Sequence, residues 1–271
     1  MNQFSLAGKV IVVTGAAGLL GINHVEAIAI AGGQPVMLDK DKNRLEKTAN
    51  EIGKKYSTQI PYFVLDITKA DQVEKCCNAV MQAFGHVDGL INNAANNPKI
   101  ETHEVNSDSR LETFNMDRWD ADIAVGLTGS LLCTKYFGAQ IAKQGGSIVN
   151  ISSDLGIIAP DQRIYQKPGT PLDRQPVKAV SYSVVKTGLI GLTRYTATYW
   201  ADRKVRCNAL CPGGIDNNQE SSFVAKLSEL IPLGRMAQQD EYKGSIIFLL
   251  SDASSYLTGQ TLIADGGRTA W

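Results

Sequence analysis

Short β-branched runs alternate with long helical patterns from one end of this chain to the other. Val10–Val13, Pro35–Asp39, Pro61–Asp66, Val87–Asn92, Ser147–Ser152, Val205–Cys211 and Thr261–Ala264 read as strands. Between them, Gly21–Ala31, Asp41–Lys54, Ala70–Phe84, Met116–Lys143, Ser181–Ala201 and Asp240–Leu250 carry helical spacing. Strands separated by helices make βαβ units and a parallel sheet. Val10–Val13 is apolar at every position, as a strand buried on both faces should be. The rhythm predicts an α/β chain with one domain over residues 1–271. Its core is a doubly wound, Rossmann-type parallel sheet of about seven strands with helices on both faces.

Composition narrows what such a domain can do. Twenty-seven basic and 27 acidic side chains cancel, so there is no electrostatic footprint for nucleic acid or an anionic membrane. No apolar stretch is long enough to span a bilayer, and the N-terminal residues lack the order of a signal peptide. Five cysteines, Cys76, Cys77, Cys133, Cys207 and Cys211, form no disulfide framework, and the three histidines sit at no metal-binding spacing. A cytoplasmic protein with free thiols and no metal is expected. Two polar segments, Asn96–Glu112 and Leu155–Val180, are too long for idle connections and read as lids or binding loops, or as disordered segments.

Three features carry chemistry. First, Thr14-Gly15-Ala-Ala-Gly18-Leu19-Leu20-Gly21 follows a strand and opens a helix. Glycines there let the backbone approach a pyrophosphate, and the helix N-terminus offers unpaired N–H groups to it. Second, Asp39 ends the next strand, where a carboxylate can accept from an adenosine ribose and repel a 2′-phosphate, favouring NAD over NADP. Lys40 and Lys42 nearby soften that preference, and Asp39 could instead cap the helix that follows. Third, Tyr182 and Lys186 stand one helical turn apart and share a face. A phenol normally titrates near ~10. An ammonium one turn away, with the positive nicotinamide of an oxidised cofactor, can lower it enough for proton transfer to or from a substrate oxygen. Ser153, at the end of the preceding strand, is placed to hold that oxygen.

As an ordered set, TGAAGLLG, Asp39, Asp66, Asn92–Ala95, Asn150–Ser153, Tyr182-x-x-x-Lys186, Asn208–Ile215 and Asp265-Gly-Gly267 strongly resemble the short-chain dehydrogenase/reductases. The resemblance implies hydride transfer between a nicotinamide and a carbonyl or secondary alcohol. It casts Tyr182 as the acid/base, Ser153 as the group that positions the substrate oxygen, and Lys186 as holding the nicotinamide ribose. It implies further that Gly15, Gly18, Leu19, Leu20 and Gly21 form the phosphate turn. Asp66 and Ile67 would meet the adenine, Asn93 and Ala94 would pass along the cofactor, and Gly213 and Ile215 would hold its nicotinamide end.

The match departs from the family pattern in three places. The second glycine of the turn is displaced to Gly18, with Leu19 in its usual place. The asparagine expected after Trp119 on the long helix, where it supports a water-linked proton relay from the lysine, is Gly126. Either water or a backbone carbonyl takes over that relay, or activity is slowed or lost. Finally, the insertion at about 155–180 separates Ser153 from Tyr182 by more than the usual spacing. It should cover the substrate, with Arg163 and Arg174 as candidate partners for a phosphate or carboxylate.

Pro160–Tyr165, Gly191–Ala201 and Gly266–Trp271 look closest to bacterial oxidoreductases of the flagellin-modification protein A type, which implies a sugar or amino-sugar substrate. A ketoacyl or other small carbonyl compound is the alternative. A chain that binds NAD without turnover, as a sensor or scaffold, is an alternative of another class. The resemblance also implies a homotetramer built on the long helices, through Leu127, Leu131, Leu132, Tyr136, Leu189, Leu192 and Tyr195.

Overall fold

The computed structural model describes residues 3–96 and 109–271. Seven strands form one sheet: β1 Val10–Thr14, β2 Gln34–Asp39, β3 Tyr62–Val64, β4 Gly89–Asn92, β5 Gly146–Ile151, β6 Val205–Pro212 and β7 Thr261–Ala264. Their order is β3-β2-β1-β4-β5-β6-β7, and every neighbouring pair is parallel. The predicted α/β architecture is therefore the one observed, with strand ends moved by a few residues.

Successive residues of a strand point to opposite faces, and β1 shows why its whole run is apolar. Ile11 and Val13 pack on one face with Val25 and Ile28 of α1 (Leu19–Ile30) and with Leu45 of α2 (Lys42–Tyr56). Val10 and Val12 pack on the other, with Val73 and Val80 of α3 (Ala70–Phe84). The first face is closed further by Ile246 and Leu249 of α7 (Lys243–Leu250). Glu26 ties the helices of that face together. Its nearly buried carboxylate receives hydrogen bonds from Lys55 on α2 and Lys243 on α7.

The expected Met116–Lys143 helix is one continuous rod, α4, with a more varied interior. It opens as an α-helix over Met116–Ile123 and closes at Ala139–Ile141, with π-helical stretches at Ala124–Gly129 and Thr134–Gly138. Small residues let it press against its neighbours. A Cβ on Gly129 would strike Ile67, one on Gly138 would strike Trp200, and one on Gly126 would strike Val185. Val185 belongs to α5 (Val180–Tyr199), whose first turn is fastened to α4 by a 2.6 Å hydrogen bond from Ser181 to Asp122.

A further helix, α6 (Ser221–Glu229), has no counterpart among the expected elements. It serves as the dock for the long insertion. That segment forms three short 3₁₀ turns rather than an unstructured loop. Its Ile164 is buried against Leu227, Ile231 and Met236, and Tyr165 stacks on Phe223 at 5.5 Å. Most of the Asn96–Glu112 segment, expected as a lid, lies outside the described residues. Among the described residues, no helix is long and apolar enough to cross a membrane, and no cluster of side chains could hold a metal ion. All five cysteines are buried free thiols.

Candidate active site

Strand order reverses between β1 and β4, and the crevice above such a reversal is where doubly wound sheets bind ligands. A cavity of about 370 Å³ occupies it, lined by Gly15, Gly18, Leu19, Leu20, Asp39, Asp66, Ile67, Asn93 and Ala94. Nine residues expected at the cofactor thus share one wall. Gly15 adopts φ +61, the left-handed region, and a Cβ there would come within 2.8 Å of the Ala94 backbone. No other residue satisfies both demands. Gly18 caps α1 with its backbone extended, so the displaced glycine still ends the turn, and the Gly18 N–H donates to the Gly15 carbonyl. Gly21 faces the turn from within α1. It does not line the cavity, and its missing Cβ makes room for the Gly15 carbonyl.

The loop after β4 is pinned to the turn. Thr14 Oγ1 accepts from the N–H groups of Asn93 and Ala94, while Asn93 Nδ2 donates to the carbonyls of Thr14 and Gly15. Asp39 does not cap α2; Asp41 does, accepting from the Arg44 N–H. The Asp39 carboxylate instead accepts from the N–H of Ala17 in the glycine turn and of Asp41, which fixes it at the cavity mouth. Lys40 and Arg44 line the same end, with the Arg44 guanidinium donating to the Ala17 carbonyl at 2.8 Å.

Leu19 and Ala95 are shared with a second cavity, of about 420 Å³. Ser153, Tyr182, Gly213 and Ile215 all line it. Ser153 ends β5 and Tyr182 lies in the first turn of α5, close to the positive end of the helix dipole. Lys186 does not line the cavity. It is 5% exposed, sits 5.7 Å from the Tyr182 ring centroid, and donates to the Ile151 carbonyl at 2.8 Å. Burial pushes the Tyr182 phenol up to about 12, against the Ser153 hydrogen bond that lowers it. Burial also brings the Lys186 ammonium down to about 8, with Lys178 adding repulsion.

Two residues of this cavity, Asp154 and Arg268, went unnoticed in the sequence as site residues. Asp154, next to Ser153, and Arg268, just after the Asp-Gly-Gly motif, form a buried ion pair at 2.6 Å. The same carboxylate accepts from the Ser153 hydroxyl at 2.7 Å. Lys178 lines the cavity from the end of the insertion, with its ammonium 3.8 Å from the Tyr182 ring centroid. The two arginines expected at the substrate are elsewhere. Arg163 is 81% exposed and bound to neighbouring Asp161 at 2.6 Å, and exposed Arg174 does not line the cavity. A base two residues from an acid on one short turn is captured locally, which spacing alone does not reveal.

Comparison with known proteins fits this geometry. Residues 9–165 match the short chain dehydrogenase family, and residues 173–269 match the related enoyl-(acyl carrier protein) reductase family. The chain belongs to the short-chain dehydrogenase/reductases and is an NAD(P)-dependent oxidoreductase of alcohols and ketones. It is 34% identical to an NADP-dependent mannitol dehydrogenase of Hypocrea jecorina, over 99% of this chain and 95% of that one. It is also 34% identical to the 3-oxoacyl-[acyl-carrier-protein] reductase FabG of Thermotoga maritima, over 97% of this chain and 98% of that one. A gluconate 5-dehydrogenase of Burkholderia cenocepacia, solved with NADP and tartrate, superposes with TM-score 0.86 at 26% identity, covering 100% of this chain and 98% of that one.

Gly126 sits where the family's asparagine is expected, and Val185 fills the space beside it. Replacing Gly126 with Asn should destabilise the fold by about 1–3 kcal/mol through overpacking. Val185→Ala in the same chain should recover most of that loss in urea unfolding.

Proposed function

We propose that the enzyme is NAD-dependent and interconverts a secondary alcohol and a ketone on a sugar or amino-sugar derivative. The observation that carries this reading is the convergence of Ser153 and Tyr182 in one polar cavity that abuts the glycine-turn crevice, with Lys186 anchored behind them. The crevice fits a dinucleotide because its backbone cradle is one that a Cβ at Gly15 would fill. A bound nicotinamide would supply the hydride acceptor or donor. Gly15 and Gly18 would cradle its phosphates, Asp39 the adenosine ribose, Asp66 and Ile67 the adenine, and Gly213 and Ile215 the nicotinamide end.

The chain's own side chains handle the proton. In alcohol oxidation the Tyr182 phenolate takes the hydroxyl proton of the substrate, and in ketone reduction the phenol returns it. Ser153 keeps the reacting oxygen within reach of Tyr182. Lys186 favours the phenolate electrostatically and would hold the nicotinamide ribose. Tyr182→Phe is expected to lower kcat by about 10²–10⁴-fold while NAD still binds. The check is formation of reduced nicotinamide with a panel of polyols, sugar acids and amino sugars. Binding of NAD without turnover on any panel member, unaltered by Tyr182→Phe, would favour a sensor or scaffold instead.

Support for a hydroxylated substrate comes from the cavity wall, where Asn217, Gln219, Glu220 and Ser222 join Asp154 and Lys178. A role in bacterial surface or flagellar glycan synthesis is the biological setting we infer, from the resemblance to the flagellin-modification type. The second reading, reduction of a ketoacyl compound, is favoured by the likeness to the Thermotoga reductase; faster turnover of a ketoacyl thioester than of any polyol would select it.

For the cofactor, Asp39 supports NAD, since a carboxylate at the ribose would repel a 2′-phosphate. Asp39→Ala should therefore tighten NADP relative to NAD by about tenfold, the factor that corresponds to ~1.4 kcal/mol. Tighter NADP than NAD binding in the unaltered enzyme would overturn this choice, and the Hypocrea relative, named as NADP-dependent, makes the measurement pointed.

We infer a homotetramer in the cytoplasm. Of the helix residues expected at its contacts, Leu131 and Tyr195 are 51% and 65% exposed, and Tyr195 stacks on Tyr199 at 5.7 Å. Leu189 turns inward instead, at 2% exposed. Sedimentation should give the mass of four chains, and a clean monomer would exclude the assembly.

A further inference from the structure

Tyr182 is flanked by two lysines at equal spacing, Lys178 four residues before it and Lys186 four residues after. Only the second belongs to the motif that marks the family. Lys178 nevertheless comes nearer to the phenol ring, at 3.8 Å from its centroid against 5.7 Å for Lys186. It is also the one of the pair that lines the substrate cavity.

Its position is built rather than incidental. The Lys178 N–H donates to Gln162 Oε1 at 2.8 Å, and the Lys178 carbonyl accepts from Gln162 Nε2. Ala179, next in the chain, is buried and precedes the first turn of α5. The folded insertion therefore holds the backbone from which the ammonium reaches across Tyr182. A cation on a phenol face is attracted to the ring, and more strongly once the ring carries the charge of a phenolate.

We propose that Lys178 is a second cationic residue of the reaction centre, which acts with Lys186 to favour the phenolate of Tyr182. The proposal rests on the reading of Tyr182 as the acid/base. Other charges bear on the pair. Asp154 and Cys211 oppose the phenolate from the β5 and β6 side, while Tyr165 of the insertion lies close by. Around Lys178 itself, burial brings the ammonium down to about 8, Arg118 repels it, and Asp154 and Asp122 sustain it. Asp154 is in turn neutralised by Arg268. The two lysines thus repel each other in the resting site, and a phenolate between them relieves that repulsion.

The experiment is an ultraviolet titration of tyrosinate in enzyme saturated with NAD, with Tyr182→Phe as the blank, so no substrate is needed. In Lys178→Met and Lys178→Gln the Tyr182 signal should move to higher pH by about one unit, the scale of a nearby lost charge. Lys178→Arg should keep it near its original pH. Unchanged titration in both neutral variants, with circular dichroism showing the fold intact, would overturn the proposal and leave the Tyr182 reading standing. A titration that Tyr182→Phe does not alter would overturn both. A purely structural role for Lys178 would lower the melting temperature in all three variants without separating Arg from Met.

Discussion

Burying a phenol works against the chemistry that a phenol must do here. Water stabilises a phenolate far better than a protein interior does, and Tyr182, half-buried at the cavity wall, has given up part of that water. Three features around it act as compensation. The helix start beneath the ring, the ammonium of Lys186 behind it and that of Lys178 across its face each supply positive potential where solvent has been excluded. Burial makes both lysines hold their own protons less firmly, and Lys178 adds repulsion at Lys186. The site is therefore a balance among groups that are individually uncomfortable.

The absence of an asparagine at position 126 shows how local such a balance can be. Val185 occupies the space beside Gly126, so a side chain at that position would meet it across two helices. Lys186 meanwhile places one of its three protons on the Ile151 carbonyl. Close packing of this kind also accounts for the glycines at 129 and 138, which let α4 lie against Ile67 and Trp200.

Much of this could be read before any coordinates existed, because the determinants are local. Strands buried on both faces advertise themselves as unbroken apolar runs, and Val10–Val13 is one. The glycine turn, Asp39 and the Tyr182–Lys186 pair each sit within a few residues of a strand or helix end. Pairings made by the tertiary fold were not legible. Arg268 meets Asp154 across 114 positions of sequence, and nothing near either residue announces the other. Lys178 was one base among several in the insertion. Only the Gln162 clamp and the docking of Ile164 turn it inward, while Arg163 and Arg174 stay outside. The α6 helix escaped notice because its apolar residues make sense only against that same insertion.

The hydroxyl of Ser153 has a definite polarity. Its hydrogen is directed to the Asp154 carboxylate, which Arg268 holds in place, and its oxygen accepts from the Leu155 N–H. A ketone brings only lone pairs, and must draw the serine hydrogen away from a carboxylate before it can be held. Holding a carbonyl there therefore requires one hydroxyl to turn around.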